Sequence, residues 1–292
     1  MDLRDLEIFL AVARHLNFTR AGEQMHLSQP SVSVRIRLLQ EELGVKLFEQ
    51  VGKKISLTEA GVVLEPNARR IVAAFEDTQL AIQELKGLER GSLRIGASTT
   101  PGIYLVPRLV AEFKRQHPKV EIYVAIKDTR RVEDLLLKNE FDFGFVGGHL
   151  IGHEIEVIPW RTDELALVVP VNHPFAKKKR IRPSDLQGER FIVREQGSAT
   201  QALVDASLRE WDLQLNAVME TDNPGAVKQA VQAGLGIAFI SKFAIETEVR
   251  NKILATVKVE GLKARRELKI AHRKGKHLSR AARAFIKMCV AS

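Results

Sequence analysis

The sequence has little cysteine and no long apolar segment. Its 292 residues include one cysteine. Cys289 cannot form an internal disulfide, which fits a reducing cytoplasm, and its apolar neighbours Met288 and Val290 predict a small buried hydrophobic side chain. No apolar run reaches the ~18–20 residues that span a bilayer, and the N-terminus MDLRDLEIFL is acidic and amphipathic. The sequence therefore predicts neither a membrane contact nor a secretory signal.

The usual signatures of an enzyme are also missing. There is no nucleophile–base pair, phosphate-binding P-loop or paired-carboxylate motif, so we predict no catalytic residue and no cofactor. His149 and His153 are four residues apart, a spacing that can bind a metal on a helix. Because Gly147, Gly148 and Gly152 favour a loop and no third ligand is evident, no metal site is predicted.

The net charge of +9 is unevenly distributed along the chain. Residues 1–60 contain eight Lys or Arg and eight Asp or Glu. Residues 250–292 contain thirteen Lys or Arg and two Asp or Glu, so the excess lies in the last segment. Net charge alone therefore does not locate a DNA-binding face.

The first sixty residues show the periodicity and capping signals of a small helical domain. Apolar residues recur at helical spacing at the start of the chain, and Thr19 is the predicted N-cap of a short helix, RAGEQM. In the next helix, LSQPSVSVRIRLLQEELG, Ser28 is the predicted N-cap, Pro30 suits the first turn and Gly44 ends the helix. The apolar stripe that would hold this helix on the domain is Val32, Ile36, Leu39 and Leu43. The segment VKLFEQVGKKISLT predicts a hairpin, which completes a winged helix-turn-helix.

A long helix is predicted to begin near Thr58. An apolar heptad seam runs along it over about three repeats, which favours a two-stranded coiled coil; the alternative is a helix packed on the body of its own protein. Pro66 should kink the helix or mark its first turns. The predicted dimerisation residues are Leu64, Ala68, Ile71, Phe75, Thr78, Ile82 and Leu85.

From Ser92 onward, short β-type runs alternate with helical segments. The runs SLRIGAS, VEIYVAI, FDFGFVG, ELALVVPV, RFIVRE and GIAFIS are separated by segments such as PRLVAEFKRQH and PGAVKQAVQAG. This alternation predicts parallel sheets with helical crossovers, and about 200 residues suit two α/β lobes better than one.

The sequence resembles the LysR-type transcriptional regulators. The motifs FTRA, LSQPSVS, QEELG, KLFE and LTEAG at these spacings are similar to the family's DNA-binding head, and LRIGAS, HPFA and KIAHRKGKHLS add weaker similarities. The resemblance implies a winged helix-turn-helix, a dimerising linker helix and two Rossmann-like lobes of the periplasmic-binding-protein type. It also implies a homodimer or homotetramer that binds double-stranded promoter DNA, responds to a small inducer and contacts RNA polymerase if it activates transcription.

Chemistry and resemblance together suggest which residues of the head contact DNA. The helix that begins near Ser28 would lie in the major groove, where Gln29 can pair with adenine and Arg35 or Arg37 with guanine or phosphate. The predicted DNA-binding residues are Thr19, Gln29, Pro30, Ser31, Ser33, Arg35, Arg37, Lys53 and Lys54. Many relatives carry arginine at the positions of Val34 and Gln50, and alanine at Gly22. The first two differences shift the specificity prediction toward Gln29, Ser33 and Arg35.

Hydroxyl-bearing residues follow two strands and start helices in ASTTPGIYLVP and EQGSATQALVD. Such helix starts offer N–H groups and hydroxyls to an anion, and ligands of parallel α/β sheets bind at the carboxyl ends of strands. By resemblance, Ser98, Thr100, Gly147, Ser198 and Thr200 match positions that line an inducer pocket between two lobes. The full predicted set is Ser98, Thr99, Thr100, Thr129, Gly147, Ser198 and Thr200. A carboxylate-, sulfate- or phosphate-bearing effector is favoured. The stretches ASTTPGIYLVP and DFGFVGG resemble regulators of sulfur assimilation and, to a lesser degree, of carbon fixation.

The sequence thus predicts an α + α/β protein with three parts: a head at residues 1–58, a linker helix at 59–90 and an effector-binding domain at 91–292. Lobe I would comprise about 91–163 and 269–292, and lobe II about 164–268. The predicted function is a cytoplasmic, DNA-binding transcription regulator controlled by a small anionic metabolite. The alternatives are a solute-binding module or an α/β enzyme with an appended helix-turn-helix used for assembly. The missing export signal disfavours the first of these.

Overall fold

The computed structural model describes residues 1–52, 54–84 and 91–291. The chain divides into two compact units, residues 1–87 and 88–292. Lys53 and Leu85, predicted to serve in DNA binding and dimerisation, lie outside the described residues. In the first unit, the head comprises α1 (Leu3–His15), α2 (Phe18–Met25), α3 (Gln29–Leu43), β1 (Phe48–Val51) and β2 (Lys54–Leu57), and the long helix α4 (Glu59–Glu84) follows it.

Local signals set both ends of α3 as predicted. The Ser28 hydroxyl accepts a hydrogen bond from the N–H of Ser31, and Pro30 occupies the first turn, where its missing N–H costs nothing. Gly44 ends the helix with a φ of 68°, the left-handed conformation that glycine adopts without steric cost. The start of the predicted DNA-reading helix is therefore fixed by its own sequence.

The start of α2 differs from the prediction. Asn17, not Thr19, is the N-cap, because its side chain accepts hydrogen bonds from the N–H groups of Thr19 and Arg20. Gly22 of this helix lies against the turn to α3: a Cβ atom there would be 2.7 Å from the carbonyl oxygen of Leu27. Any larger residue would clash with this carbonyl, so glycine is required here despite its helix-propensity cost of about 0.5–1 kcal/mol relative to alanine.

The head has one apolar core between α1, α2, α3 and the start of α4. On α3 it contains Val32, Ile36 and Leu39, as predicted, whereas Leu43 is 38% exposed and lies outside it. β1 and β2 pair antiparallel and form the predicted hairpin. The helices and the hairpin together make the winged helix-turn-helix that the sequence predicts.

The long helix α4 begins where predicted, since the Thr58 hydroxyl accepts a hydrogen bond from the Gly61 N–H at 3.1 Å. Pro66 lies inside the helix, which nevertheless continues to Glu84. The predicted seam divides into two parts. Its first part, Leu64 and Ala68, packs in the head's own core.

Beyond that core, the seam of α4 is exposed. Ile71 and Phe75 are each 46% exposed, and Ile82 is 58% exposed. Ala68, which is also predicted to lie in the seam, is fully buried within its own chain and has no exposed surface there. Only the later part of the seam is available to a partner helix.

The second unit, called the regulatory domain, has a mixed α/β architecture. Its strands are β3 (Gly91–Ser98), β4 (Val120–Lys127), β5 (Phe143–Val146), β6 (Ile155–Pro170), β7 (Arg180–Ile181), β8 (Arg190–Arg194), β9 (Asn216–Thr221), β10 (Ala238–Ser241), β11 (Leu254–Val259) and β12 (Arg265–Arg273). Its α-helices are α5 (Thr99–Tyr104), α6 (Val106–Gln116), α7 (Thr129–Leu137), α8 (Ala199–Arg209), α9 (Pro224–Gln232), α10 (Lys242–Arg250) and α11 (Arg280–Ala291). Two short 3-10 helices, Pro174–Lys177 and Pro183–Leu186, flank β7.

Two long strands, β6 and β12, connect the parts of the regulatory domain. β3 pairs in parallel with β4 and β5, as the alternation of strands and helices predicts. β6 is a single strand of 16 residues whose first part pairs antiparallel with β12 and whose last part pairs with β10 and β11. The sequence prediction recognised only the second half of β6, because Pro159 interrupts a run of mixed polarity before it.

Separate apolar clusters lie on the two sides of these connecting strands. One cluster draws on β3, β5, α6 and α11, and a second draws on the later half of β6, β8, β10 and β11. We refer to the two sides as lobe I and lobe II. The carboxyl end of β3 and the start of α8, which carry the predicted effector residues, belong to different lobes. None of the helices in the described ranges has the length and apolarity needed to cross a membrane.

The thiol of Cys289 should be inert while the protein is folded. The residue is 1% exposed in the core of lobe I, and burial raises its pKa to about 12. Against an ordinary thiol, the thiolate fraction at pH 8 should fall by about a thousandfold. We expect iodoacetamide to label the unfolded chain in urea quickly and the folded chain barely, as followed by mass spectrometry. Equal labelling rates would contradict this burial.

Candidate DNA-binding and effector sites

One face of α3 lines an open groove in the head. The side-chain amide of Gln29 donates a hydrogen bond to the Ser33 hydroxyl at 2.9 Å. These two residues, with Thr19, Gln40 and Gln50, lie among the lining residues of a groove of about 540 Å³ bounded by the start of α2 and by the hairpin. The structure therefore brings three predicted DNA contacts, Thr19, Gln29 and Ser33, to one polar surface.

Arg35 does not share this surface. Its guanidinium pairs with Asp5 at 2.8 Å and with Asp2 at 3.2 Å, both at the start of α1. The hydrogen bond from the Asp5 backbone and the nearby Arg35 hold the pKa of Asp2 below its usual value, while the two carboxylates raise the pKa of Arg35. In this structure, Arg35 joins α3 to α1 instead of pointing at a base.

The remaining predicted contacts of the head occupy different surroundings. Ser31 shares a hydrogen bond with the Ser28 hydroxyl at 2.8 Å, so it serves the cap. Pro30, Arg37 and Lys54 are exposed. Val34 is 45% exposed on the outer side of α3, and Leu38, one turn later, is 50% exposed. The outer surface of α3 is thus partly apolar, a feature that the sequence shows only at Val34.

A small cavity of about 30 Å³ lies between lobe I and lobe II. It brings together six of the predicted effector residues: Ser98, Thr99, Thr100, Thr129, Ser198 and Thr200. Gly197, which the sequence also places at a helix start, lines it too. Ser98, Thr100, Ser198 and Thr200 are each at most 7% exposed, so their hydroxyls are shielded from bulk water.

Two of these hydroxyls have an acceptor position already in use. Ser98 Oγ accepts a hydrogen bond from the Gly147 N–H at 3.2 Å, and Thr100 Oγ1 accepts one from Arg266 Nη2 at 3.2 Å. A hydroxyl that accepts in this way keeps its single proton to donate. Ser98 and Thr100 are therefore prepared as donors, which suits an anionic ligand.

Two arginines that were not predicted from the sequence also line the cavity: Arg194, which is buried, and Arg266, whose side chain is 10% exposed. Arg194, at the end of β8, pairs with Glu195 at 2.8 Å and donates to the carbonyl oxygens of Thr221 and Asp222. Its place at the carboxyl end of a predicted strand was a signal that could have found it. Arg266 had no such signal, since the strand that carries it was not predicted.

Arg266 is the centre of a buried polar network. It pairs with Asp163 at 2.8 Å, and that carboxylate, which is fully buried, also accepts a hydrogen bond from the Ser241 hydroxyl at 2.6 Å. Asp163 and Arg266 face each other on β6 and β12, the two strands that connect the lobes. With Thr100 in lobe I and Ser241 in lobe II, the network spans both lobes.

The loop after β5 passes close to this network. Gly147 is predicted to line the cavity, but it is not among the lining residues. A Cβ atom there would lie 3.4 Å from the guanidinium carbon of Arg266. A Cβ atom at Gly148 would lie 3.0 Å from both the Cβ of Ala199 and the hydroxyl of Thr129, which belong to different lobes. Both glycines are needed for close approach at the cleft.

The rest of this loop is anchored by a buried carboxylate. Glu133 of α7 accepts hydrogen bonds from the N–H groups of Ile151 and Gly152. His149 and His153 lie in the same loop, so their spacing is not that of one helix face. The predicted loop at this segment is confirmed.

A winged helix-turn-helix joined to a two-lobed domain with a polar cleft is the architecture of a ligand-regulated DNA-binding protein. Residues 3–62 match the family model described as the bacterial regulatory helix-turn-helix protein, lysR family, and residues 86–292 match the LysR substrate binding domain. The chain belongs to the LysR family of transcriptional regulators.

Three known proteins illustrate what the chain is similar to. The RuBisCO operon transcriptional regulator of Allochromatium vinosum is 36% identical over 285 residues, which cover 98% of this chain and 94% of that protein. The regulatory domain of CcmR from Synechocystis PCC6803, solved in complex with 2-PG, matches with a TM-score of 0.65 and 26% identity over 69% of this chain and 97% of that one. Full-length CbnR, solved with its target DNA, matches with a TM-score of 0.68 and 20% identity over 99% of both chains, which shows the shared fold.

Proposed function

We propose that this regulator binds a small anionic metabolite between its lobes and that the bound anion changes its affinity for promoter DNA. The observation that carries the anionic assignment is the pair of buried hydroxyls, Ser98 and Thr100, whose acceptor positions are engaged by Gly147 and Arg266. The N–H groups at the start of α8 add further donors. The complex of the related CcmR domain with 2-phosphoglycolate (2-PG) supports the same ligand class.

The size of the cleft limits how the effector can bind. The space beside the Ser98 and Thr100 hydroxyls is narrow, about 30 Å³, so it has room for only a small part of an organic anion. An adjoining region of about 560 Å³ shares Thr99 and Gly197 with the cavity and is also lined by Lys127 and Arg130. We propose that the phosphate or carboxylate group binds at Ser98 and Thr100 and that the rest of the metabolite extends toward this region.

Titration calorimetry with the full-length protein tests the ligand class. We expect 2-phosphoglycolate to bind, and glycolate, which lacks the phosphate group, to bind at least about tenfold more weakly, the effect of losing one charge-assisted hydrogen bond. Inorganic phosphate and sulfate should compete with 2-phosphoglycolate for the site. Failure of all these anions to bind would contradict the anionic assignment without affecting the assignment of the head to DNA.

For the head, we propose that Gln29 and Ser33 read base edges and that Thr19 contacts a phosphate at the start of α2. Gln29 reaches adenine by exchanging its hydrogen bond with Ser33 for a bidentate pair. Val34 is an exposed apolar side chain suited to a thymine methyl group. Arg35 contributes indirectly, by fixing α3 on α1. The residues proposed to contact the sugar–phosphate backbone of the DNA are Arg37, Lys54 and Pro30.

The exposed part of the α4 seam supports a homodimer. Ile71, Phe75 and Ile82 are spaced four and seven residues apart, as on the seam of a coiled coil, and each presents a large apolar side chain to solvent. A second copy of α4 would cover them, with Thr78 between. We also propose that the protein acts in the cytoplasm, where promoter DNA is present, and that it has no catalytic role.

Gln29→Ala should weaken binding to a selected DNA site by about 1–3 kcal/mol and relax the preference at one base pair. The matched control is Gln24→Ala: Gln24 is an exposed glutamine of α2 that pairs with His15 outside the groove. Binding isotherms on the site and on its single-base variants measure both effects. If Gln29→Ala and Gln24→Ala bind every duplex alike, Gln29 does not read a base.

A further inference from the structure

The unequal charge distribution of the sequence has a structural counterpart on lobe II. Eight exposed cationic side chains lie along one edge of this lobe: Lys177, Lys178, Lys179, Arg180, Arg182, Lys258, Lys263 and Arg265. We call this set the basic edge. It combines the run KKKRIR with part of the positive excess at the end of the chain, neither of which the cleft or the head uses.

Strand pairing brings the two parts of the basic edge together. The short strand β7 lies at the end of the sheet and pairs in parallel with β11, which places Arg180 opposite Lys258. The chain then turns at Gly261, and Lys263 and Arg265 lead into β12. The edge is therefore a continuous surface and not a set of scattered charges.

A groove runs along this surface. It measures about 740 Å³, and its cationic lining residues are Lys179, Lys242, Lys258, Lys263 and Arg265. Its apolar lining residues Leu165, Leu167, Val257 and Val259 belong to the core and are each at most 7% exposed. Leu262 also lines the groove and is partly exposed, and the more exposed side chains of the lining, apart from Thr256, are all cationic.

Acidic residues neutralise only part of this charge. Arg180 lies 3.9 Å from Glu260, and Arg265 lies 3.3 Å from Glu164, which also pairs with Lys242. Both arginines are about 70% exposed, so these contacts are screened by water and salt. The pKa of Glu164 is lowered by Lys242, as expected beside an excess of cations.

A structural explanation for the basic edge accounts for only part of it. Charged residues on an edge strand prevent it from pairing with another chain, and charge also improves solubility. The strand is only two residues long, however, whereas the run from Lys177 to Arg182 contains five cationic residues, three of which precede the strand. A protein partner would be expected to use aromatic anchors, and none of the residues that line the groove is aromatic.

We propose that the basic edge binds the sugar–phosphate backbone of duplex DNA, as a second contact that does not read sequence. Spread, exposed cations without aromatic anchors suit a long polyanion, because each phosphate contact releases a counterion. The head would then choose the site, and lobe II would hold the DNA that flanks it. The proposed contact is independent of the identity of the effector.

The experiment compares two variants of the full-length protein with the same change of charge. The test variant carries Lys177→Gln, Lys178→Gln, Lys179→Gln and Lys258→Gln. The control variant carries Arg115→Gln, Lys138→Gln, Lys274→Gln and Lys287→Gln, at exposed positions of lobe I. Affinity is measured at several salt concentrations on a short duplex limited to the selected site and on a long duplex that includes its flanks.

On the long duplex, the slope of log K against log salt should fall in magnitude by about 0.9 for each phosphate that the protein no longer neutralises. The slope of the test variant should therefore be smaller by about two to four, and the control variant should match the wild type. On the short duplex all three proteins should agree. Equal slopes on the long duplex would overturn the proposal. Equal slopes combined with a loss of transcription activation would instead assign the edge to an acidic protein partner.

Discussion

The Asp163→Asn variant should lose about 3–5 kcal/mol of stability in its regulatory domain. Asp163 is fully buried and balances the charge of Arg266, whose side chain is only 10% exposed. Asparagine keeps the shape and can still accept from Ser241, but it leaves a buried guanidinium without a counter-charge. Removing one partner of a buried pair is costly for this reason, even where the pair itself adds little to stability.

Urea unfolding followed by tryptophan fluorescence measures this loss. The chain has two tryptophans, Trp160 and Trp211, and both lie in the regulatory domain, so the signal is independent of the head. Glu164→Gln is the matched control, because Glu164 is the adjacent carboxylate and pairs with Lys242 and Arg265 at the surface. The control should change stability by less than about 1 kcal/mol. A similar small effect of Asp163→Asn would contradict the buried network.

The Thr100→Val variant should bind 2-phosphoglycolate about 10- to 100-fold more weakly than the wild type. A hydrogen bond to a charged group contributes about 1.5–3 kcal/mol, and valine keeps the shape of threonine while removing the donor. It also removes the acceptor of the Arg266 hydrogen bond, so the guanidinium is less firmly held at the cavity. The effect should appear in the dissociation constant measured by calorimetry.

Thr162→Val serves as the control for this prediction, since Thr162 is an exposed threonine on β6 outside the cavity. Ser98→Ala provides a second test of the same idea, because the Ser98 hydroxyl accepts its hydrogen bond from the Gly147 N–H and not from Arg266. We expect Ser98→Ala to weaken binding and Thr162→Val to leave it unchanged. Unaltered affinity in both cleft variants would remove Ser98 and Thr100 from the site.

The features that depend on neighbouring residues could be predicted from the sequence. Ser28 caps the start of α3 and Gly44 caps its end, both through contacts within a few residues, and the hairpin follows from the turn at Gly52. The hydroxyls that meet at the cleft were predicted because strand ends and helix starts carry them. The error at Thr19 is of the same local kind, since Asn17 is also a strong N-cap residue and lies only two positions away.

The features that depend on distant residues could not be predicted in this way. Arg35 reaches Asp5 across 30 positions, so its place on the side of α1 is invisible to helical periodicity. Arg266 and Asp163 are 103 positions apart and meet because β12 and β6 pair. The charges that surround the effector cavity therefore became apparent only with the fold.

The seam of α4 shows a further limit of periodicity. A heptad pattern records which residues are buried on one side of a helix, but not which chain covers them. Ala68 fits the pattern and is buried by its own head, whereas Phe75, one heptad later, is half exposed. The seam residues of α4 that pack against the head are buried in its core, and those beyond the end of the head stay exposed to a partner helix.

The most direct test of the account is the coupling between the cleft and the DNA. Duplexes are selected from a random pool with the full-length protein, and affinity for the enriched site is measured with and without 2-phosphoglycolate. We expect one enriched motif, a change in affinity of about 5- to 150-fold on adding the anion, and loss of that change in Thr100→Val. An enriched motif whose affinity is unaffected by every anion that binds the cleft would contradict the account.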